Sequence, residues 1–277
     1  MLVGASIGSK RKLRMLSEPF FPRSTNLSVA WAQVFMRLME PGVDELPQVI
    51  VTVRDFADGV PNEHGTIREH LDHELARQGK HDCHTVANTI FPASLWNPQA
   101  EDNTQQLFER HAKIWPRIKH CEGNRRGSYF RRLTAFCPKD SPPGSAVNQL
   151  QHIIDTYKRG NHRRTALQAS LFDPTRDHTH GRQQGFPCLQ RVEFLPLAGG
   201  GLWVTGAYTT QYIFERAYGN YLGLCRLGHF MAAQMGLSLV QMTCTATVAQ
   251  RGKPPKGCLQ RLADALRQLV APVDRKA

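Results

Sequence analysis

The chain has 277 residues, 35 of them basic and 23 acidic, for a formal net charge of +12. Its apolar runs fall far short of the roughly 20 residues of a membrane-spanning helix, and the basic stretch 1–14 lacks the apolar core of a signal peptide. The expectation is therefore a cytoplasmic chain that does not enter a membrane, with seven cysteines, an odd count, kept reduced; the charge suits partners that carry phosphate (nucleotides, nucleic acid or an anionic surface) or, with equal weight, reflects genome bias and solubility.

Leu27, Ala30, Trp31, Val34, Phe35 and Leu38 recur at helical spacing behind the capping candidates Thr25 and Asn26, which predicts an amphipathic first helix. Val49, Ile50, Val51 and Val53 read as a short strand. A helix is expected over 66–78, with Ile67, Leu71 and Leu75 on one face. An ordered loop over 88–98 and a helix over 103–118, ending near Pro116, follow. Prolines in 137–144 mark a short linker. Val147, Leu150, Ile153, Ile154 and Tyr157 predict a helix that stops at Gly160.

The second half is richer in strands. Segments 166–172, 189–195 and 202–207 are the candidates, the last two joined as a hairpin through Gly199-Gly200-Gly201. Tyr221, Leu224, Cys225, Gly228, Ala232 and Met235 share a helix face whose small residues allow close approach to a sheet. A strand over 237–248 and a closing helix with Leu259, Leu262, Leu266 and Leu269 complete a mixed α/β chain. No internal repeat is visible, and the length suits one large domain or two small ones.

Gly185-Phe186-Pro187-Cys188 places a thiol after a rigid proline and before a strand. Such a cysteine is a nucleophile if nearby positive charge lowers its pKa from about 8.5; a buried structural cysteine is the alternative. Arg163-Arg164, after Gly160-Asn161-His162, form a guanidinium pair suited to phosphate, or else a solvated surface. Arg176 and Arg182 add charge on the approach to Cys188, and His178 and His180 are either proton carriers or part of a surface loop.

The order of these motifs resembles the thymidylate synthase family. Asn148-Gln149-Leu150, then His162-Arg163-Arg164, then Phe172-Asp173-Pro174, then Pro187-Cys188 follow the family's Asp-Gln-Leu, Ser-Arg-Arg, Trp-Asn-Pro and Pro-Cys-His. Glu193-Phe194 is similar to its Gln-Phe, Ala207-Tyr208 to the start of its Leu-Tyr-Gln-Arg-Ser, and Met231-Ala232-Ala233-Gln234 to its Met-Ala-Gln. The likeness is good over 145–237 and weak before it. It implies one domain over 1–277, with 1–20 a flexible basic N-terminus, in a three-layer α/β (α+β) fold whose large mixed sheet is covered by helices.

The resemblance also implies a chemistry. Cys188 would add to C6 of a pyrimidine nucleotide, activating C5 toward 5,10-methylenetetrahydrofolate, and the product would be methylated or hydroxymethylated. Arg163 and Arg164 would reach the phosphate across a homodimer interface, with Arg182, Tyr208, Gln211 and Asn220 as further substrate-binding candidates. The departures are specific. Leu189 stands for the histidine after the nucleophile, Thr209-Thr210-Gln211 for Gln-Arg-Ser, and Ile213 for the aspartate that holds folate. The pyrimidine-reading asparagine falls at Tyr221, one residue from Asn220. No His-x-Tyr occurs near 250–252, and the C-terminal 271–277 lacks the family's apolar tail. The family's catalytic glutamate has no placed counterpart; Glu69 and Glu74 are acidic and helical, and an exposed helix face is the better account of them. The competing reading is a non-catalytic nucleotide- or nucleic-acid-binding protein that keeps the fold.

Two further clusters have ordinary explanations. His81-Asp82-Cys83-His84 lacks the second ligand pair of a structural zinc site. Arg125-Arg126 and Arg131-Arg132 around Tyr129 and Phe130 suit single-stranded nucleic acid, or a basic face with its aromatics turned inward.

Overall fold

The computed structural model describes residues 18–100, 103–121, 124, 127–139, 141–142, 144–178 and 187–270. The elements in chain order are β1 (Arg23–Ser24), α1 (Leu27–Met39), β2 (Glu45–Arg54), β3 (Phe56–Ala57), β4 (Val60–Pro61), α2 (Gly65–Arg77), α3 (Cys83–Asn88), α4 (Asn103–Ile118), α5 (Tyr129–Thr134), α6 (Gln149–Arg159), β5 (Gln168–Ser170), α7 (Pro174–Asp177), β6 (Leu189–Pro196), β7 (Gly201–Tyr212), α8 (Tyr218–Met235), β8 (Ser238–Gln250) and α9 (Gln260–Leu269). Six strands form one mixed sheet in the order β1-β2-β8-β7-β6-β5. β1 runs parallel to β2 and β7 to β8, while the other neighbours are antiparallel.

Strand periodicity decides which face is buried. Val204, Gly206 and Tyr208 of β7 pair with Met242, Cys244 and Ala246 of β8, which in turn pair with Val53, Val51 and Val49 of β2. The side chains of these rows are buried beneath helices, with α8 against β7 and β8 and α1 against β2. The intervening rows put Glu193, Thr205, Thr243 and Thr52 side by side, and Leu195, Trp203, Gln241 and Arg54 beside them. Much of this second face is only half-buried, and it is rich in threonine.

The N-terminal helix forms where its spacing and cap predict, with Asn26 Oδ1 accepting from the Val29 amide at 3.2 Å. α6 likewise starts on the Asn148 cap and ends at Gly160, whose φ of +70° suits glycine. Helix α8 is buried nearly all round. A Cβ on Gly206 would stand 2.6 Å from Leu224, and one on Gly228 would stand 2.8 Å from Val204, so helix and sheet meet as closely as the small residues suggest. Gly219 and Gly223 serve a different contact: both face α3, where a Cβ would meet the Cys83 and Ala87 carbonyls.

Helices α3 and α5 are additions to the sequence reading. Each has six residues, too few for a hydrophobic period to show, and each is started by a side-chain cap. Asp82 Oδ1 accepts from the Thr85 amide, and Ser128 Oγ from the Arg131 amide at 3.1 Å. Asp82 is thus a cap and Cys83 a core residue, and among the described residues no three His, Cys, Asp or Glu side chains gather as a metal site. Segment 166–172 yields only the three-residue β5, because Arg164–Ala166 first makes a short 3₁₀ turn. No described helix is long and apolar enough to cross a membrane.

Candidate active site around Cys188

Cys188 lies immediately before β6, following the buried Pro187. Its carbonyl accepts from the Thr209 amide at 3.1 Å and from Gln190 Nε2 at 3.3 Å, which ties the residue to the middle of the sheet. The thiol is half-buried, and burial pushes its pKa up while the Arg216 guanidinium opposes that rise. It is a free thiol, as are the other six cysteines.

Two tyrosines join it. Tyr208, directly across from Leu189 in the ladder, is 3% exposed, and its buried hydroxyl has no hydrogen-bond partner among the described residues. Tyr129, the first residue of α5, brings its hydroxyl to the backbone amides of Leu189 and Cys188. Burial holds both phenols protonated. For Tyr129 the nearby thiol adds to that effect, while the Leu189 and Cys188 amides and Arg216 counter it. An unpaired hydroxyl in a dry site has a strong need for a ligand oxygen or nitrogen.

Behind the tyrosines, Gln211 is locked in place. Its Oε1 accepts from Tyr221 Oη at 3.2 Å, and its Nε2 lies 3.5 Å from the Cys244 sulfur. Burial, first, raises the Cys244 thiol to about 12 despite the Gln211 contact, so this second cysteine is held as an inert thiol. Arg216 comes from an irregular five-residue π turn, Ile213–Ala217, between β7 and α8. Trp31 Nε1 donates to the Ile213 carbonyl at 2.8 Å, and the Phe214 amide donates to the Arg251 carbonyl at 3.0 Å. Glu215 accepts from the Lys253 amide at 3.1 Å and pairs with Lys80 at 3.2 Å. The turn is pinned from three directions, leaving Arg216 exposed at the site.

The sequence candidates divide. Cys188, Tyr208 and Gln211 belong to this neighbourhood, and Asn220, 5% exposed, lies in the first turn of α8 beside the Gln211-bound Tyr221. Arg163 and Arg164 are exposed, and they do not reach Cys188 within the chain. They precede Gln168, which pairs with Glu193, so they lie near the far end of β6, about 20 Å from Cys188 at strand spacing. Arg182 and His180 lie outside the described residues; His178 packs its ring 4.9 Å from that of Phe172. Sequence reasoning missed Tyr129 as a neighbour of the thiol, and missed Arg216. Tyr129 was legible only as part of a basic aromatic patch, and nothing in a one-dimensional pattern marks a residue of an irregular turn.

The sequence matches no protein-family model, and no curated protein is significantly similar to it.

Proposed function

We propose that the chain is a pyrimidine nucleotide C5 methyl- or hydroxymethyltransferase of the thymidylate synthase type, with Cys188 as its nucleophile. The observation that carries this reading is the thiol held at the head of β6 beside Arg216, Tyr129 and Tyr208. The thiolate adds to C6 of the ring, and the electron pair displaced from the C5–C6 double bond makes C5 basic. C5 takes a proton, loses one, and elimination of the sulfur restores the double bond. Arg216 favours the thiolate by its charge, and the unpaired Tyr208 hydroxyl supplies a hydrogen bond to the nucleotide.

The wider fold reading is a single three-layer domain over 1–277 working as a cytoplasmic homodimer. The half-exposed threonine-rich face of the sheet supports it, as does the placement of Arg163 and Arg164. A second copy packed against that face would let the arginine pair serve the neighbouring site.

The residues present do not fit the usual grip on methylenetetrahydrofolate. Ile213, where the resemblance expects a carboxylate, is fully buried and held through its carbonyl by Trp31. The chemistry these residues support ends at activation of C5. The same observation, with the thiol pushed up by burial, favours the second reading: a non-catalytic nucleotide- or nucleic-acid-binding protein.

Release of tritium from C5 of pyrimidine nucleotides, without added folate, separates the two. The transferase reading expects release that is lost in Cys188→Ala. No release from any uridine or cytidine nucleotide, with binding retained, establishes the second reading.

A further inference from the structure

Helix α5 delivers Tyr129 to Cys188 and, two residues later, Arg131 to a separate cleft of about 630 Å³. Trp115, Arg131, Phe136, Cys137, Asp173 and Arg176 line it; Cys188, Tyr208, Gln211 and Arg216 do not. The volume is that of a small-molecule site. Its charges are unevenly matched. Arg132 is fully used, paired with both oxygens of Asp177 and donating to the Leu171 carbonyl at 2.7 Å. Arg176 donates to the Cys137 carbonyl at 2.8 Å and stands 3.8 Å from Asp173 Oδ2, with its side chain still 45% exposed.

Arg131 is the uncompensated group. Its guanidinium carbon lies 5.7 Å from the centre of the Trp115 ring, and among the described residues no carboxylate lies within ion-pair distance. Asp173 is 3% exposed, its Oδ1 accepts from Thr175, and among the described residues its buried Oδ2 has no hydrogen-bond donor, the Arg176 guanidinium being 3.8 Å away. A half-buried cation without an anion and a buried carboxylate oxygen without a donor are both expensive, and one ligand can relieve both.

We propose that this cleft is a second ligand site, for a planar ring compound that bears a phosphate or carboxylate and an N–H or O–H donor. Arg131 and Arg176 take the anionic group with charge-assisted hydrogen bonds, Asp173 takes the donor, and Trp115 and Phe136 form the wall for the ring. The site is independent of the chemistry at Cys188.

Calorimetric titration of the full chain tests it, with adenosine 5′-monophosphate, adenosine, inorganic phosphate and 2-aminobenzoate as probes. The background carries Cys188→Ala, Arg163→Ala and Arg164→Ala, which disables the pyrimidine site. Saturable binding of the nucleotide or of the aminobenzoate is expected, and whichever binds identifies phosphate or carboxylate as the anion. Arg131→Gln and Arg176→Gln should each weaken it by about tenfold or more. Arg176 is the more exposed of the two, and the urea midpoint of its variant separates lost binding from lost folding. Equal affinity in both arginine variants, adenosine binding as well as its monophosphate, or no saturation by either anion at millimolar concentration overturns the proposal.

Discussion

Replacing Arg132 by methionine should destabilise the chain more than any loss of surface charge. Arg132 and Asp177 are 8% and 3% exposed, and the guanidinium makes two hydrogen bonds to the carboxylate and one to the Leu171 carbonyl. Without it, Asp177 keeps, among the described residues, one hydrogen-bond donor, the Asp173 amide at 2.8 Å. Breaking a buried pair from one side costs about 3–5 kcal/mol, which corresponds to a fall in Tm of about 10 °C for a chain of this size. The cost should depend on pH. Burial raises the Asp177 pKa, but hydrogen bonds from Arg132 and the Asp173 amide and the charges of Arg132 and Arg176 outweigh it, so the folded pKa is depressed. Its contribution is then fully present above the unfolded value, about 3.9, and is lost as pH falls through the folded value. Urea denaturation at pH 7 and across the acid range measures both effects. A cost below about 1 kcal/mol for Arg132→Met would refute the reasoning, as would a double variant Arg132→Met/Asp177→Leu no more stable than the single one.

His111 gives a second acid-side prediction: burial, and then the charge of Arg131, lower its pKa to about 4 from 6.5, so the unfolded chain takes the proton first. Stability should be fully present above about pH 6.5 and lost by on the order of 3 kcal/mol as pH falls through about 4; His111→Leu should flatten that part of the denaturation profile. Gly219→Ala should cost about 1–3 kcal/mol, because its Cβ would lie 2.5 Å from Val86 Cβ and 2.7 Å from the Cys83 carbonyl. Gly257→Ala, with nothing within 4 Å, serves as the control and should leave the urea midpoint nearly unchanged.

The sequence by itself determined the elements whose own residues carry the signal. α1 and α6 have caps at one end and a full apolar period, and α8 and the long strands bury enough side chains to impose their period on any reading. It also singled out Cys188, because a proline before a strand is a local feature. Tertiary structure decided the rest. Short helices such as α5 exist because a serine cap and a buried Phe130 meet a surface that lies far away in the chain, and no window of sequence contains that surface. The neighbours of the thiol come from α5, far away in the chain, and from β7 with the turn that follows it; the pairing of β6 with β7 and the approach of α5 to the start of β6 bring them together. Arg131 and Arg132 show the limit most plainly. As adjacent arginines they are alike in sequence, yet one is closed in a buried ion pair and the other has no carboxylate partner among the described residues. Local patterns fix which segments fold into which elements, whereas the pairing of charges depends on which elements come to lie together.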